Sequence, residues 1–245
     1  MRMIQNLGEF DIVYLVKPAR SNEELKYSLR TVEKNFPCRS VWFYGGCPDD
    51  LEPDYYVYVN QAELGDRKWY RTTAMLEMVC REEELSEWIW LFNDDFFIVE
   101  HAPEIFTAIY HGSIQHRIEE IEEKHGGRSE YSNLLRRTKE ILKAERIGTN
   151  NYATHTPLLI NRREALQTIQ RFSTCPMFRC LYGNMWDIGG QDAPDVKVNN
   201  IEEEWDERSW CMSTSDKTFE KGKAGKYIRD RFQDPSRWEL QNDHR

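Results

Sequence analysis

The sequence predicts an α/β protein with a mixed, mainly parallel sheet flanked by helices and carrying a helical insertion. Three observations predict it. Apolar runs rich in aromatic and β-branched residues recur, as at residues 10–16 and 88–92, and they are too continuous for strands with one wet face. Segments with apolar residues at helical spacing separate them. The first 45 residues alone read strand, helix, strand, the unit from which parallel sheets are built.

The elements follow in order. Residues 10–16 are the first strand, ending at Lys17-Pro18-Ala19-Arg20. Ser21-Asn22-Glu23-Glu24 supplies an N-cap and an acidic first turn, and Leu25, Leu29, Val32 and Phe36 repeat at helical spacing until Pro37. Residues 40–44 form a second strand, stopped by Gly45-Gly46, and residues 55–59 a third. Residues 68–80 read as a helix, with Arg71 near its start, and 104–110 as a short one. From 112 to 148 the chain is mostly charged, acidic first and basic later, and reads as two exposed helices broken near Gly126-Gly127. Residues 154–160 return to the sheet, 162–172 form an amphipathic helix, 182–192 a glycine-bearing loop and 210–216 a last strand. A basic tail covers 217–245. No linker or repeat divides the chain, so one domain over 1–245 is expected.

The run from Trp88 to Val99 holds Asn93-Asp94-Asp95 in its middle, so it reads as a strand, a sharp turn and a second short strand. Two ionised carboxylates side by side in apolar surroundings need compensation. A divalent metal supplies it; local hydrogen bonds of an Asn-Asp turn are the alternative. Three preceding strands put the pair at the carboxyl edge of an open sheet, where such folds bind ligands, and this favours the metal. His155 enters a strand as either a hydrogen-bonded structural group or a ligand. The loop from Tyr182 to Asp192, followed by Asp195-Val196-Lys197-Val198, adds acids, rings and glycines. Glycine allows close approach to a sugar, and a tight structural turn explains it equally.

Together these features resemble glycosyltransferases of the GT-A fold, a Rossmann-like architecture whose Asp-x-Asp-type motif holds a metal under a sugar nucleotide's diphosphate. Asn93 stands where that motif has its first Asp. Asp11-Ile12-Val13-Tyr14, Glu24-Leu25-Lys26-Tyr27-Ser28-Leu29-Arg30, Phe92-Asn93-Asp94-Asp95 with Phe97, and His155-Thr156-Pro157 resemble small phage-encoded glycosyltransferases and, more distantly, Stealth-type capsular polysaccharide phosphotransferases. The likeness covers the first hundred residues well and the remainder thinly. Lys17-Pro18-Ala19 departs from the Trp-Val-Asp-Gly-like stretch of Stealth proteins.

The resemblance implies a single GT-A-like catalytic domain that moves a sugar from a nucleotide-sugar donor, a UDP-sugar first among them, to a hydroxyl with Mn²⁺ or Mg²⁺. It places the metal on Asp95, helped by Asp94 and by Asp216 or His155, and the donor on Lys17, Arg20, Arg71, Asn93 and Asp94. The catalytic base is sought among Asp192, Asp187 and Asp195, because Gly189-Gly190-Gln191-Asp192 resembles the Gly-Gly-Glu-Asp acceptor loop of inverting galactosyltransferases. The acceptor it favours is a hydroxymethylated pyrimidine in phage DNA, with Tyr182 or Trp186 stacked on a flipped base and the basic segments on phosphates. A surface glycan as acceptor, Stealth-like sugar-1-phosphate transfer to a surface polysaccharide, and a non-catalytic carbohydrate- or nucleotide-binding module are the alternatives.

Composition bounds these readings. With 40% hydrophobic and 13% aromatic residues among 245, the chain has a sizeable core and is not disordered. A net charge of -9 opposes indiscriminate nucleic-acid binding. Six cysteines without a Cys-x-x-Cys pair argue for reduced thiols and against both a disulfide framework and zinc. No segment approaches the roughly 20 apolar residues of a membrane span, and the first ten residues lack a signal-peptide pattern. The expectation is a cytoplasmic protein, in a bacterial host if phage-encoded.

Overall fold

The computed structural model describes residues 7–103, 106–173, 177–206 and 209–240. Strand β1 (Asp11–Val16) is buried along almost its whole length, as its unbroken apolar sequence requires. Helix α1 (Glu23–Asn35) starts where Asn22 accepts the Leu25 N–H on its side chain and ends at Phe36, before Pro37. Strands β2 (Val41–Gly45) and β3 (Tyr55–Tyr58) follow, then helix α2 (Lys68–Arg81) and strand β4 (Trp88–Phe92). After a turn come β5 (Phe96–Ile98) and the two-residue β6 (Ile109–Tyr110).

Two helices, α3 (Ile114–His125) and α4 (Glu130–Ala144), replace each other around Gly126, which closes α3 in the left-handed conformation. Strand β7 (Leu158–Asn161), helix α5 (Arg162–Arg171) and helix α6 (Phe178–Met185) come next. The remainder comprises β8 (Gln191–Asp192), β9 (Lys197–Val198), β10 (Cys211–Thr214), α7 (Asp216–Lys221) and α8 (Lys223–Arg231).

The central sheet runs β3-β2-β1-β4-β7, its first four strands parallel and β7 antiparallel to β4. This is an α/β protein with a mixed, mostly parallel sheet flanked by helices, compatible with a Rossmann-like fold. Alternate residues of each strand face two cores. Val13, Ile89 and Leu91 pack with Leu76 and Val79 of α2 and Ile169 of α5. On the other face Ile12, Tyr14, Trp90 and Phe92 pack with Leu25, Leu29 and Val32 of α1. Burying one such side chain contributes about 1.5–3 kcal/mol, so these layers hold the strand ends in place.

A smaller sheet, β5-β10-β9, branches from the end of β4, and β6 pairs with β8. At the amino edge of the main sheet, fully buried Asp11 accepts from Arg39 Nε (2.8 Å) and Nη2 (2.5 Å), Ser40 Oγ (2.6 Å) and Ser86 N (2.8 Å). A strap at 236–240 crosses the first half of the chain. Glu239 takes a two-pronged hydrogen bond from Arg30, both at 2.7 Å, and buried Trp238 donates to Asp54 at 3.0 Å.

Four expectations are corrected. Residues 109–110 are strand, because their backbone pairs with Gln191 and Asp192; residues 104 and 105, where the short helix was expected to begin, lie outside the described residues. Tyr182-Gly183-Asn184 is helix and not loop. Gly183 is there because a Cβ would come within 2.3 Å of the Tyr152 ring, so the glycine serves helix packing. The strand at 158–161 begins after His155, which lies in a bend. The basic tail folds as α7 and α8 against Phe97 and Met212 and then runs on to the strap at 236–240. Burial pushes the Cys38 and Cys80 thiols up to about 12, as suits unreactive core groups. Among the described residues no helix is long and apolar enough to cross a membrane.

Candidate functional site

The Asn93-Asp94-Asp95 turn is the hinge between the two sheets: β4 delivers it at the carboxyl edge of the parallel strands, and β5 leaves it for the smaller sheet. Asn93 is exposed and its carbonyl accepts from Phe96 N at 3.2 Å. The register of the small sheet decides what meets the acids. Ser213 of β10 lies opposite Phe96 and also opposite Lys197 of β9. That register brings Lys197 Nζ to 2.8 Å and Ser213 Oγ to 3.0 Å from Asp95 Oδ2. The Asp95 side chain is only 14% exposed, and its Oδ1 is buried with no hydrogen-bond partner.

Asp94 accepts from Asn22 Nδ2 at 2.9 Å, the same side chain that caps α1 through its oxygen. Burial raises the Asp94 carboxyl above its usual range, and neighbouring Asp95 adds to this against the opposing pull of Asn22 and Lys17. Glu24, in the first turn of α1, faces the same edge and accepts from Thr214 Oγ1 at 3.0 Å. Burial, with the fields of Asp94, Asp95 and Asp216, pushes its carboxyl up to about 7. A buried cation answers these acids. Arg179 donates through Nη1 to the carbonyls of Thr156 (2.7 Å) and Thr154 (3.2 Å), lies over the Phe96 ring, and leaves Nη2 buried without a partner. Burial holds its pKa down to about 10, and the fields of Asp95 and Asp195 keep it charged.

His155 and Asp195 form a pair beside this cluster. Asp195 accepts the His155 backbone N–H at 3.0 Å and its ring Nδ1 at 2.7 Å. Burial works against the charge on Asp195, yet the hydrogen bonds and charge of His155 and the field of Arg117 hold its carboxyl below the usual range. Nδ1 therefore carries the proton, and Nε2 is the nitrogen left for other chemistry.

The other expected residues divide. Lys17 is exposed at the end of β1 and acts on Asp94 through its field. Asp216 opens α7 behind the Ser215 cap and acts on Glu24. Among the described residues no hydrogen bond or ion pair joins Arg20 or Arg71 to the acid pair; Arg20 is exposed and Arg71 sits in the first turn of α2. Asp187 lies just past the α6 C-cap at φ +42°, exposed, and Asp192 accepts from Gly112 N at 2.8 Å on the β6–β8 pair. Tyr182 offers no stacking face, and the Trp186 ring is half-buried and tied to α5. Tyr182 is fully buried, accepting from Asn161 N and donating to Glu164, and Trp186 Nε1 donates to Thr168 Oγ1 (2.9 Å) and Glu164 O (3.2 Å) on α5.

Asp95, Asp216 and His155 do not converge as one ligand set. Among the described residues the one trio of His, Cys, Asp or Glu that does is His111, His116 and Glu120. Glu24, Arg179, Lys197, Asn22, Ser213 and Thr214 belong to the acid-pair cluster and were not singled out as site residues from the sequence. The sequence matches no model of a known protein family and no curated protein.

Proposed function

We propose that the chain transfers a sugar from a nucleotide-sugar donor to a hydroxyl acceptor at the Asn93-Asp94-Asp95 edge. One observation carries the reading: Asp95 Oδ1, a buried carboxylate oxygen without a partner at the ligand-binding edge of an α/β sheet. An unsatisfied buried polar atom costs about 1–3 kcal/mol, and more when charged, so a ligand that brings a cation or donor there is favoured. The class of donor comes from the resemblance carried by the first hundred residues.

The carboxylates of Asp95 and Asp94 fit an Mg²⁺ or Mn²⁺ ion. Such ions take hard oxygens from one or two carboxylates and complete their shell with phosphate oxygens and water. Asp95 would hold it with Asp94 beside it; Asp216 and His155 are no longer proposed as ligands. When bound, the ion neutralises charge growing on the diphosphate leaving group. Lys17 and Arg179 add positive charge at the same edge, and exposed Asn93 hydrogen-bonds the donor's ribose. For an inverting transfer, His155, oriented by Asp195, accepts the acceptor hydroxyl's proton at Nε2 as the new bond to the anomeric carbon forms and the bond to diphosphate breaks.

For the acceptor, part of the expected cationic surface is spent on internal pairs. Arg136 is bound to Glu122, Lys226 to Asp230 and Arg231 to Glu100. With Tyr182 buried as well, a glycan or other small hydroxyl compound is favoured over DNA. The test incubates the protein with a panel of nucleotide sugars and Mn²⁺ or Mg²⁺, with glycans or hydroxymethylcytosine DNA, and measures released nucleotide and acceptor mass. Release of a nucleoside diphosphate that needs Asp95 supports the reading. Release of a monophosphate reassigns the reaction to sugar-phosphate transfer. Donor binding without turnover, unchanged in Asp95→Asn, overturns it in favour of a binding module.

A further inference from the structure

We infer that His111, His116 and Glu120 form a second metal site, for zinc or a similar imidazole-preferring divalent ion, separate from Asp95. The inference does not rest on the sugar-transfer reading. His111 directly follows β6, and the chain then turns through Gly112 at φ +56° and the Ser113 cap into α3. His116 and Glu120 lie four residues apart on that helix, hence on one face. The turn folds His111 back over them, with its ring centroid 5.9 Å from that of His116, and a Cβ on Gly112 would already press on His116 Cδ2 at 3.2 Å.

The three ligand atoms lie within 4.8 Å of one another, and the two separations from Glu120 suit a tetrahedral ion. Glu120 Oε1 lies 3.3 Å from His111 Nε2 and 3.4 Å from His116 Nε2. Bonds of about 2.0–2.1 Å at the tetrahedral angle place neighbouring ligands about 3.3–3.4 Å apart. The protonation pattern points the same way. His111 Nδ1 is 3.1 Å from the carbonyl of Ala193, which can only accept, so Nδ1 carries the proton. In the neutral ring Nε2 then presents a lone pair to a carboxylate oxygen, an arrangement that needs a cation between them. This carbonyl-to-imidazole contact is the usual outer support of a metal-binding histidine. Arg117 supports the third ligand, donating to Glu120 Oε2 at 3.1 Å and leaving Oε1 to the two histidines.

Three protein ligands leave a fourth position, and His116, 56% exposed, gives it access from solvent. The site adjoins the loop read as acceptor-binding, since Gly112 donates to Asp192 and His111 to Ala193. The competing cation is a proton, which would make the cluster an ordinary imidazolium–carboxylate pair. That alternative is an outcome of the test.

The experiment strips the full chain with a chelator and titrates it with Zn²⁺ at neutral pH against a chromophoric competitor, with Co²⁺ as a spectroscopic probe of coordination. The expected result is one saturable site with a tetrahedral Co²⁺ spectrum. Affinity falls at least tenfold in His116→Ala and in Glu120→Gln, by comparison with the roughly 10–100-fold that supporting residues alone contribute, and is unchanged in Asp95→Asn. His116 is exposed and Glu120→Gln is isosteric, so both variants keep the fold, checked by circular dichroism. Absence of saturable binding, or binding that survives both substitutions, overturns the proposal in favour of the protonated pair. Loss of binding in Asp95→Asn with retention in His116→Ala overturns it by moving the ion to the acid pair.

Discussion

The two ends of the central sheet each bury an aspartate, and they treat it in opposite ways. Asp11, at the amino edge, has four donors for its two oxygens. Burial opposes its charge, but Arg39, Ser40 and Ser86 more than offset this and hold its carboxyl below the usual range. At the carboxyl edge Asp94 is raised, Asp95 keeps an oxygen without a partner, and Glu24 titrates at about 7. The same residue type in the same sheet is thus satisfied where it only supports the fold. Where a ligand is proposed to bind it is left short of partners, and the fold carries the cost.

The strongest way to break this contrast is to remove charge from each end. Asp95→Asn is expected to lower turnover at least about a thousandfold, the several kcal/mol a diphosphate-neutralising site supplies, while leaving the melting temperature unchanged or higher. Steady-state kinetics and a thermal melt on one sample check both halves. A variant that is active, or inactive because it is unfolded, ends the comparison. Asp11→Ala should do the reverse. It strands the buried Ser40 hydroxyl and the half-buried Ser86 N–H, but Arg39 is 47% exposed and can turn to water, so about 3 kcal/mol of stability is lost and turnover survives in the folded fraction. Because the folded pKa of Asp11 is lowered, that contribution is present above the ordinary carboxylate pKa and disappears as pH falls below it. Denaturant unfolding of wild type and variant should therefore converge in acid.

Glu24→Gln tests the sign at the other edge. A folded pKa raised to about 7 means that the native state holds the proton more tightly than the unfolded chain. The associated stability is full below the unfolded value near 4.5 and is lost as pH rises to 7. The shift corresponds to about 3 kcal/mol, and about 2 kcal/mol after allowance for the part of the carboxyl that water reaches. Glu24→Gln should accordingly be more stable than wild type at pH 8 and equal to it at pH 4. A wild type that gains stability from pH 4.5 to 7 relative to the variant would show that the edge is not short of positive charge.

Much of this was legible in local sequence. The cap at Asn22, the strand ending at Phe92 and the acid turn rest on spacing and residue type within a few positions, and the structure keeps them. The partners of the acids were not legible, because register sets them: Lys197 and Ser213 lie 102 and 118 residues from Asp95 and arrive only when β9 and β10 align. Glu24 read as a helix-start acid, and nothing local indicates that α1 points it at two further carboxylates. Gly183 misled for a physical reason, since glycine serves a close helix contact as readily as a turn. The His116-x-x-x-Glu120 spacing was visible in the sequence; its third member depends on how Gly112 turns the chain.

The strap at 236–240 has a consequence for how the chain reaches this state. Its Glu239 closes on Arg30 across 209 residues of sequence, and its backbone pairs with the loop after β2 through Glu52 N–Trp238 O (2.8 Å) and Leu240 N–Asp50 O (3.0 Å). Contacts of such separation must overcome loop closure before they return stability, which slows folding and raises cooperativity. The first βαβ unit carries Asn22 and Glu24, which meet Asp94 at the end of β4. It cannot reach its final stability until the chain has been made through residue 240, so a fragment ending before the strap should fold late, open often and yield early to protease.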